Sequence, residues 1–141
     1  QLPDALRRLT NAGYKFKPGE VTEWLDCGNK DATVYTNQRV LENVKNKEQL
    51  QASTAKIVNS EIIEPCFIGE NVHIENSKIG PHVSIGSNTK LVNSVIKNSI
   101  IQTNVNADSC NIHNSMVGNF ADINGANGSL SISDYSTIQK S

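Results

Sequence analysis

The short motif that says most about chemistry is Val21-Thr-Glu-Trp-Leu-Asp-Cys-Gly, which is followed by a helix-forming stretch. A carboxylate at the end of an extended segment, beside a glycine and just ahead of a helix, is well placed to hold a divalent metal against phosphate oxygens. Asp26 would be the ligand and Gly28 the point of close backbone approach. The plainer account of the same residues is an Asp that caps a turn. Three histidines form a second set of candidates, His73, His82 and His113. A neutral imidazole near pH 7 could act as a general base. All three fall inside a regular repeat with no long insertion to build a pocket, so surface positions are the simpler reading. Three cysteines is an odd count with no Cys-x-x-Cys pair or zinc spacing, which argues against a disulfide framework or a zinc site.

The elements that must position these groups fall into two regions. Leu2-Pro-Asp-Ala-Leu-Arg-Arg-Leu predicts a short helix with Leu2, Leu6 and Leu9 on one face and Gly13 at its close. Tyr14 to Phe16 and Val21 to Leu25 are strand candidates around Lys17-Pro18-Gly19. A second helix is expected from about Asp31 to Val44, with Val34, Leu41 and Val44 giving it one buried side. These residues hold too few large apolar groups to form a core alone and need a partner outside the sequence. The chain opens at Gln1 and reads as an excised piece of a longer protein. Residues from Lys45 to Lys56 are polar and read as a linker or exposed helical extension.

From Ser60 to Ile123 an aliphatic residue returns every five or six positions: Ile62, Ile68, Ile74, Ile79, Ile85, Leu91, Ile96, Ile101, Ala107, Ile112, Val117 and Ile123. Two residues before each stands a side chain no larger than Val, such as Cys66, Ser77, Ser94 and Cys110. Self-similarity of this kind takes precedence over local propensity. The period excludes an amphipathic helix, which wants apolar residues at three and four. Every third aliphatic stacks, with Ile68, Ile85, Ile101 and Val117 separated by 17, 16 and 16 residues, so one coil has three sides. Such coils bury their aliphatics against one another in a narrow prism and pair their backbones into three parallel sheets at roughly 4.8 Å spacing. Corners fall at Gly69, Gly80, Gly86 and Gly118, with Asn71, Asn88 and Asn104 forming an asparagine ladder. Cys66 and Cys110 lie on the small-residue register as small hydrophobes. The break at Asn124-Gly-Ala-Asn-Gly reads as a loop, after which Ile132 and Ile138 return as a strand covering the open end.

Ile68-Gly-Glu-Asn-Val-His and Ile85-Gly-Ser-Asn-Thr-Lys resemble the hexapeptide-repeat, left-handed parallel β-helix family. The left hand is what the resemblance implies; the period alone does not give it. Trp24-Leu-Asp26-Cys-Gly28 resembles the Trp-x-Asp-x-Gly segment near the end of the catalytic domain of sugar-phosphate nucleotidyltransferases, and the order helix, segment, helix, β-helix matches as well. That resemblance implies a mainly β chain: residues 1–45 would be an α/β remnant closing the catalytic domain, 46–57 a linker and 58–141 a left-handed β-helix with a terminal strand. It implies that Asp26 is one of two carboxylates on a Mg2+ ion. It further implies that the parent joins a sugar-1-phosphate to a nucleoside triphosphate with release of pyrophosphate. The glycine-rich nucleotide loop, the other metal carboxylate and the sugar pocket are missing here, so the fragment alone is expected to be inactive. Two rival readings attach to the prism: a hexapeptide-repeat acyltransferase using one of the histidines, and a purely structural oligomerisation or regulatory module.

Composition narrows the partners. Net charge is −1 with a pI near 6.3 and scattered charges, so no basic stripe suggests nucleic acid or an anionic membrane. No apolar run approaches the roughly 20 residues of a membrane span, no signal peptide opens the chain, and a reducing cytoplasm is the default. A homo-oligomer is expected, with a trimer favoured by the family resemblance and Ile63, Val92 and Ile100 as outward apolar groups.

Overall fold

A computed structural model describes residues 2–139. Helix α1 (Leu2–Asn11) and helix α2 (Lys30–Val44) precede a stack of very short strands. The first coil is β1 (Lys56–Val58), β2 (Glu61–Ile62) and β3 (Cys66–Ile68), and the second is β4 (His73–Glu75), β5 (Lys78–Ile79) and β6 (Val83–Ile85). The third coil follows with β7 (Lys90–Val92), β8 (Val95–Lys97) and β9 (Ser99–Ile101), then the fourth with β10 (Asn106–Asp108), β11 (Asn111–His113) and β12 (Met116–Val117). Strands β13 (Asp122–Asn124), β14 (Asn127–Gly128) and β15 (Ser131–Ile132) complete a fifth, and β16 (Thr137–Ile138) opens the next.

Each coil contributes one strand to each of three parallel sheets, of six, five and five strands. The order β1-β4-β7-β10-β13-β16 forms the first sheet, β2 to β14 in steps of three the second, and β3 to β15 the third. This is a parallel β-helix. Its register is the one the aliphatic spacing requires: Ile68, Ile85, Ile101 and Val117 stand directly over one another, as do Ile62, Ile79, Ile96 and Ile112. Ile74, Ile79, Ile85, Leu91, Ile96 and Ile123 are wholly buried.

The small residues two positions earlier do more than fit a narrowing interior. Ser77, Ser94, Ser99 and Ser115 each donate a hydroxyl hydrogen to the carbonyl two residues back, at 2.7–2.8 Å. The same oxygens accept a backbone N–H from the next coil: Ser94 N to Ser77, Cys110 N to Ser94, Ser115 N to Ser99 and Leu130 N to Ser115. Buried hydroxyls are tolerated because both their donor and acceptor capacities are used.

Corners differ from expectation. Of Gly69, Gly80, Gly86 and Gly118, only Gly80 takes a positive φ. The left-handed conformation is carried instead by three columns: Asn59, Asn76, Asn93, Ser109 and Gly125; Asn71, Asn88, Asn104, Phe120 and Tyr135; and His82, Asn98 and Asn114. Asparagine tolerates this region because its short amide can bond locally. The other glycines are needed for close approach; a Cβ on Gly86 would lie 2.7 Å from the backbone of Gln102 and Thr103.

The prism begins before the expected residues, and its tail departs from the expected loop. Gln51 already bridges to Ile68, and β1 begins at Lys56. At the other end, the expected loop 124–128 is regular coil: Ala126 is buried and Gly128 pairs opposite Ile112, standing where an aliphatic would. The tail therefore continues all three sheets through Ile138.

Helix α1 forms over its expected span, but Leu2, Leu6 and Leu9 all remain exposed. The two strand candidates, 14–16 and 21–25, pair with nothing among the described residues and stay irregular, because a strand needs a neighbour for its ladder. The expectation of an outside partner fails for α2. Its partner is the prism.

Candidate functional site

Helix α2 places the one metal-ligand candidate. Asn29 caps it, its side-chain oxygen accepting from Ala32 N at 2.9 Å, and the apolar residues Val34 and Leu41 are buried while Val44 is half-buried. The face that carries Val34 and Leu41 also carries Lys30 and Asn37. Lys30 Nζ donates to the Asn114 carbonyl (2.7 Å) and to Ser129 Oγ (2.9 Å), and Asn37 Oδ1 accepts from Ser84 Oγ (2.6 Å). Next to Leu41, Glu42 Oε1 lies 2.7 Å from His82 Nε2. All these partners lie on one corner of the prism or on the sheet beside it. Asp31 closes the arrangement by accepting from Asn114 Nδ2, and its carboxyl is held below the usual range chiefly by its hydrogen bond with Lys30. Fifteen residues make a helix about 22 Å long, and the three coil steps from Ser129 back to His82 cover about 14 Å, so α2 is long enough to span the rungs it bonds to.

The segment that leads into α2 is tied to its first turns. Thr36 Oγ1 donates to the Asp26 carbonyl (3.0 Å), and Thr33 Oγ1 to the carbonyls of Cys27 (3.2 Å) and Asn29 (2.8 Å). Glu23 forms a 2.7 Å ion pair with Arg39 Nε, which raises the Arg39 pKa. The sequence reading considered only the apolar positions of this helix and missed the two threonines; their signal is the i, i+3 spacing on the side facing back toward Asp26.

The Asp26 carboxylate itself is exposed, with Gly28 close beside it: a Cβ at Gly28 would sit 3.4 Å from Asp26 Oδ2. Trp24, expected to wall the site, is 83% exposed. Glu23 is engaged by Arg39, and among the described residues no group of three or more His, Cys, Asp or Glu is placed to hold a metal. Asp26 alone does not make a magnesium site.

The histidines are not brought together. His73 lies on β4 in the first sheet with Glu75 at 3.0 Å, His82 sits at the corner under α2, and exposed His113 lies on β11 in the second sheet. Cys66 and Cys110 are buried, and burial pushes both thiols up, while Cys27 is exposed.

The architecture is that of a hexapeptide-repeat type β-helix joined to a helical segment that carries one candidate metal ligand. No protein-family model matches the chain. Over 91 residues, 55% of this chain, it is 29% identical to the glucose-1-phosphate thymidylyltransferase of Streptomyces antibioticus, of which the match covers 26%. It is a distant homologue of that enzyme, and the match spans about a quarter of the relative's length. Among the described residues no helix is long and apolar enough to cross a membrane.

Proposed function

We propose that this chain is the C-terminal portion of a sugar-1-phosphate nucleotidyltransferase, with residues 1–45 closing the catalytic domain, 46–57 linking and 58–141 forming the β-helix. The observation that carries the reading is the order of its elements. The Trp24-Leu-Asp26-Cys-Gly28 segment is hung by Thr33 and Thr36 on a helix that is itself bonded to the prism. The thymidylyltransferase relative supports it.

In the complete parent, Asp26 would be one of two carboxylates on Mg2+, and the substrates would be a sugar phosphate and a nucleoside triphosphate. Such a metal neutralises phosphate charge in the transfer. What this chain's own residues do is orient: the Thr36 and Thr33 hydroxyls fix the backbone of residues 26 and 27. The β-helix serves oligomerisation, with a trimer favoured, or regulation, in a cytoplasmic enzyme. The acyltransferase reading gains no support, since the three histidines stand apart and no insertion interrupts the coils.

The test is Asp26→Asn in the parent polypeptide, assayed by pyrophosphate release from nucleoside triphosphate and sugar-1-phosphate. Loss of a metal carboxylate with shape kept should lower turnover by about a hundredfold or more while leaving the circular dichroism spectrum unchanged. Undiminished turnover would assign Asp26 to the turn alone. Light scattering that returned a monomer at high micromolar concentration would sink the oligomerisation role.

A further inference from the structure

Helix α2 is held from several directions at once. At about 100° per residue its positions divide into three stripes. Lys30, Val34, Asn37 and Leu41 fall within about 60° of one another and face the prism, where Val34 and Leu41 are buried. Asp31 and Glu42 stand about 100° to one side, at Asn114 Nδ2 (3.0 Å) and His82 Nε2 (2.7 Å). Thr33, Thr36 and Arg39 occupy the other side and hold the segment that carries Asp26: Thr33 at the Cys27 carbonyl, Thr36 at the Asp26 carbonyl and Arg39 at Glu23.

These contacts fix different things. Burial of Val34 and Leu41 keeps α2 against the prism but is non-directional, so it sets rotation about the helix axis only loosely. Hydrogen bonds set that angle, because they weaken steeply off line. Those at the second coil lie next to Thr36 in the chain: Ser84 Oγ donates to Asn37 Oδ1 at 2.6 Å, and Asn37 Nδ2 donates to the His82 carbonyl at 3.4 Å. His82 itself departs from its column for the sake of α2. It shares the left-handed conformation of Asn98 and Asn114 above it, and Asn98 Nδ2 donates upward to Asn114 Oδ1 at 3.5 Å. An asparagine at the lowest rung would donate to Asn98 Oδ1 in the same way. With histidine there, Asn98 Oδ1 is buried without a hydrogen-bond partner among the described residues, while the imidazole reaches Glu42 instead. A buried acceptor left unpaired calls for an explanation, and the grip on α2 supplies one.

We propose that Ser84 and His82 are positioning residues for the Asp26 carboxylate, acting through Asn37 and Glu42 to fix the angle of α2 and with it the backbone that Thr36 holds. On the nucleotidyltransferase reading, on which this rests, Asp26 is a metal ligand, and the second coil of the prism becomes part of the frame of that site. A threonine hydroxyl stands about 4 Å from the helix axis, outside the Cα cylinder of about 2.3 Å radius, so a turn of about 15° carries the Thr36 anchor by about 1 Å. Misplacement of a reacting group by about 1 Å costs on the order of a hundredfold in rate.

The test uses the complete parent enzyme, with pyrophosphate release measured against Mg2+ concentration. Ser84→Ala and Asn37→Ala should each lower kcat by about three- to tenfold and raise the Mg2+ concentration for half-maximal rate by a similar factor, with the double variant no worse than Asn37→Ala. Ser84→Thr, which keeps the hydroxyl, should restore both quantities. His82→Asn, which supplies the missing ladder donor, should lower kcat while keeping the melting temperature. Ile62→Ala weakens the first coil without removing a bond to α2, and should leave kcat and the Mg2+ dependence at the parent values. If Asp26→Asn is inactive while Ser84→Ala and His82→Asn match the parent in both quantities, or if Ile62→Ala loses as much as Ser84→Ala, the positioning role is overturned and the metal-ligand reading stands. If Asp26→Asn turns over as fast as the parent, both fall.

Discussion

Replacing Ile101 by alanine tests whether the interior is one continuous stack held by rails that cannot close up. Ile101 is 1% exposed and lies between Ile85 and Val117, in register with both. Three carbons are removed, worth about 2.4 kcal/mol in transfer at ~0.8 per buried methylene. In an ordinary core the neighbours would move in. Here they are fixed by backbone pairing on either side, Gly86 N to Ile101 O at 2.8 Å and Gln102 N to Val117 O at 2.9 Å, so the cavity persists and adds about 1–2 kcal/mol. The expected loss is about 4 kcal/mol, near the upper end of the range for such changes. Ile62, half-buried in the first coil, has fewer apolar neighbours to lose, and Ile62→Ala should cost about 1–2 kcal/mol. Urea unfolding followed by far-ultraviolet circular dichroism gives both values. A loss below about 1 kcal/mol at Ile101, or no difference between the two positions, would refute the argument from rigid rails.

Gly80→Ala should prevent folding of the second coil, since its Cβ would collide with the Ile63 carbonyl at a φ of +106°, whereas Gly128→Ala, with open space around it, should cost only the left-handed backbone penalty of about 1–2 kcal/mol; thermal melts separate the two. Glu42 is held below its ordinary pKa first by the hydrogen bond with His82 and then by that with Lys45. Its contribution to docking α2 is therefore full above the ordinary glutamate range and is lost as pH falls through the lowered value; the protection of α2 amides relative to their intrinsic exchange rates should fall on acidification and lose that dependence in Glu42→Gln. Native protein should react with a thiol reagent at Cys27 alone, with Cys66 and Cys110 modified only in denaturant, as mass spectrometry of labelled peptides will show.

Much of the prism was legible because its interior repeats. The aliphatic register placed Ile68, Ile85, Ile101 and Val117 correctly, and Asn71, Asn88 and Asn104 gave away one corner. Where the aliphatic is missing, at Gly128, the repeat looked broken although the backbone runs on, since sheet pairing needs only peptide groups. The corner glycines misled because glycine answers two needs, positive φ and close approach, and sequence does not separate them. Docking of α2 was illegible for another reason: Lys30 and Asn114 are 84 residues apart and meet through polar groups that read as ordinary surface. Residues 14–16 and 21–25 have the composition of strands, but composition does not supply the neighbouring edge. Asp26 is singled out by motif alone, and what the structure adds is the anchoring of the Asp26 and Cys27 carbonyls by Thr36 and Thr33.

The bonds that fasten α2 along one corner also decide how the chain would respond to mechanical load. Lys30 grips the fourth and fifth coils while Asn37 and Glu42 grip the second, so the helix is a splint across turns that otherwise touch only their nearest neighbours. Tension applied at the two ends of the chain would reach α2 from its Lys30 end. There the contacts are a few exposed or half-buried polar bonds that can break in succession, so the splint would peel away before any coil opened. Once it is gone, each coil would be held only by its own strand pairs, and the prism would unwind one turn of 15 to 17 residues at a time. A force–extension trace should therefore show one early event for α2 followed by small, evenly spaced steps, and a chain with Lys30 and Asn37 replaced by alanine should lack the first.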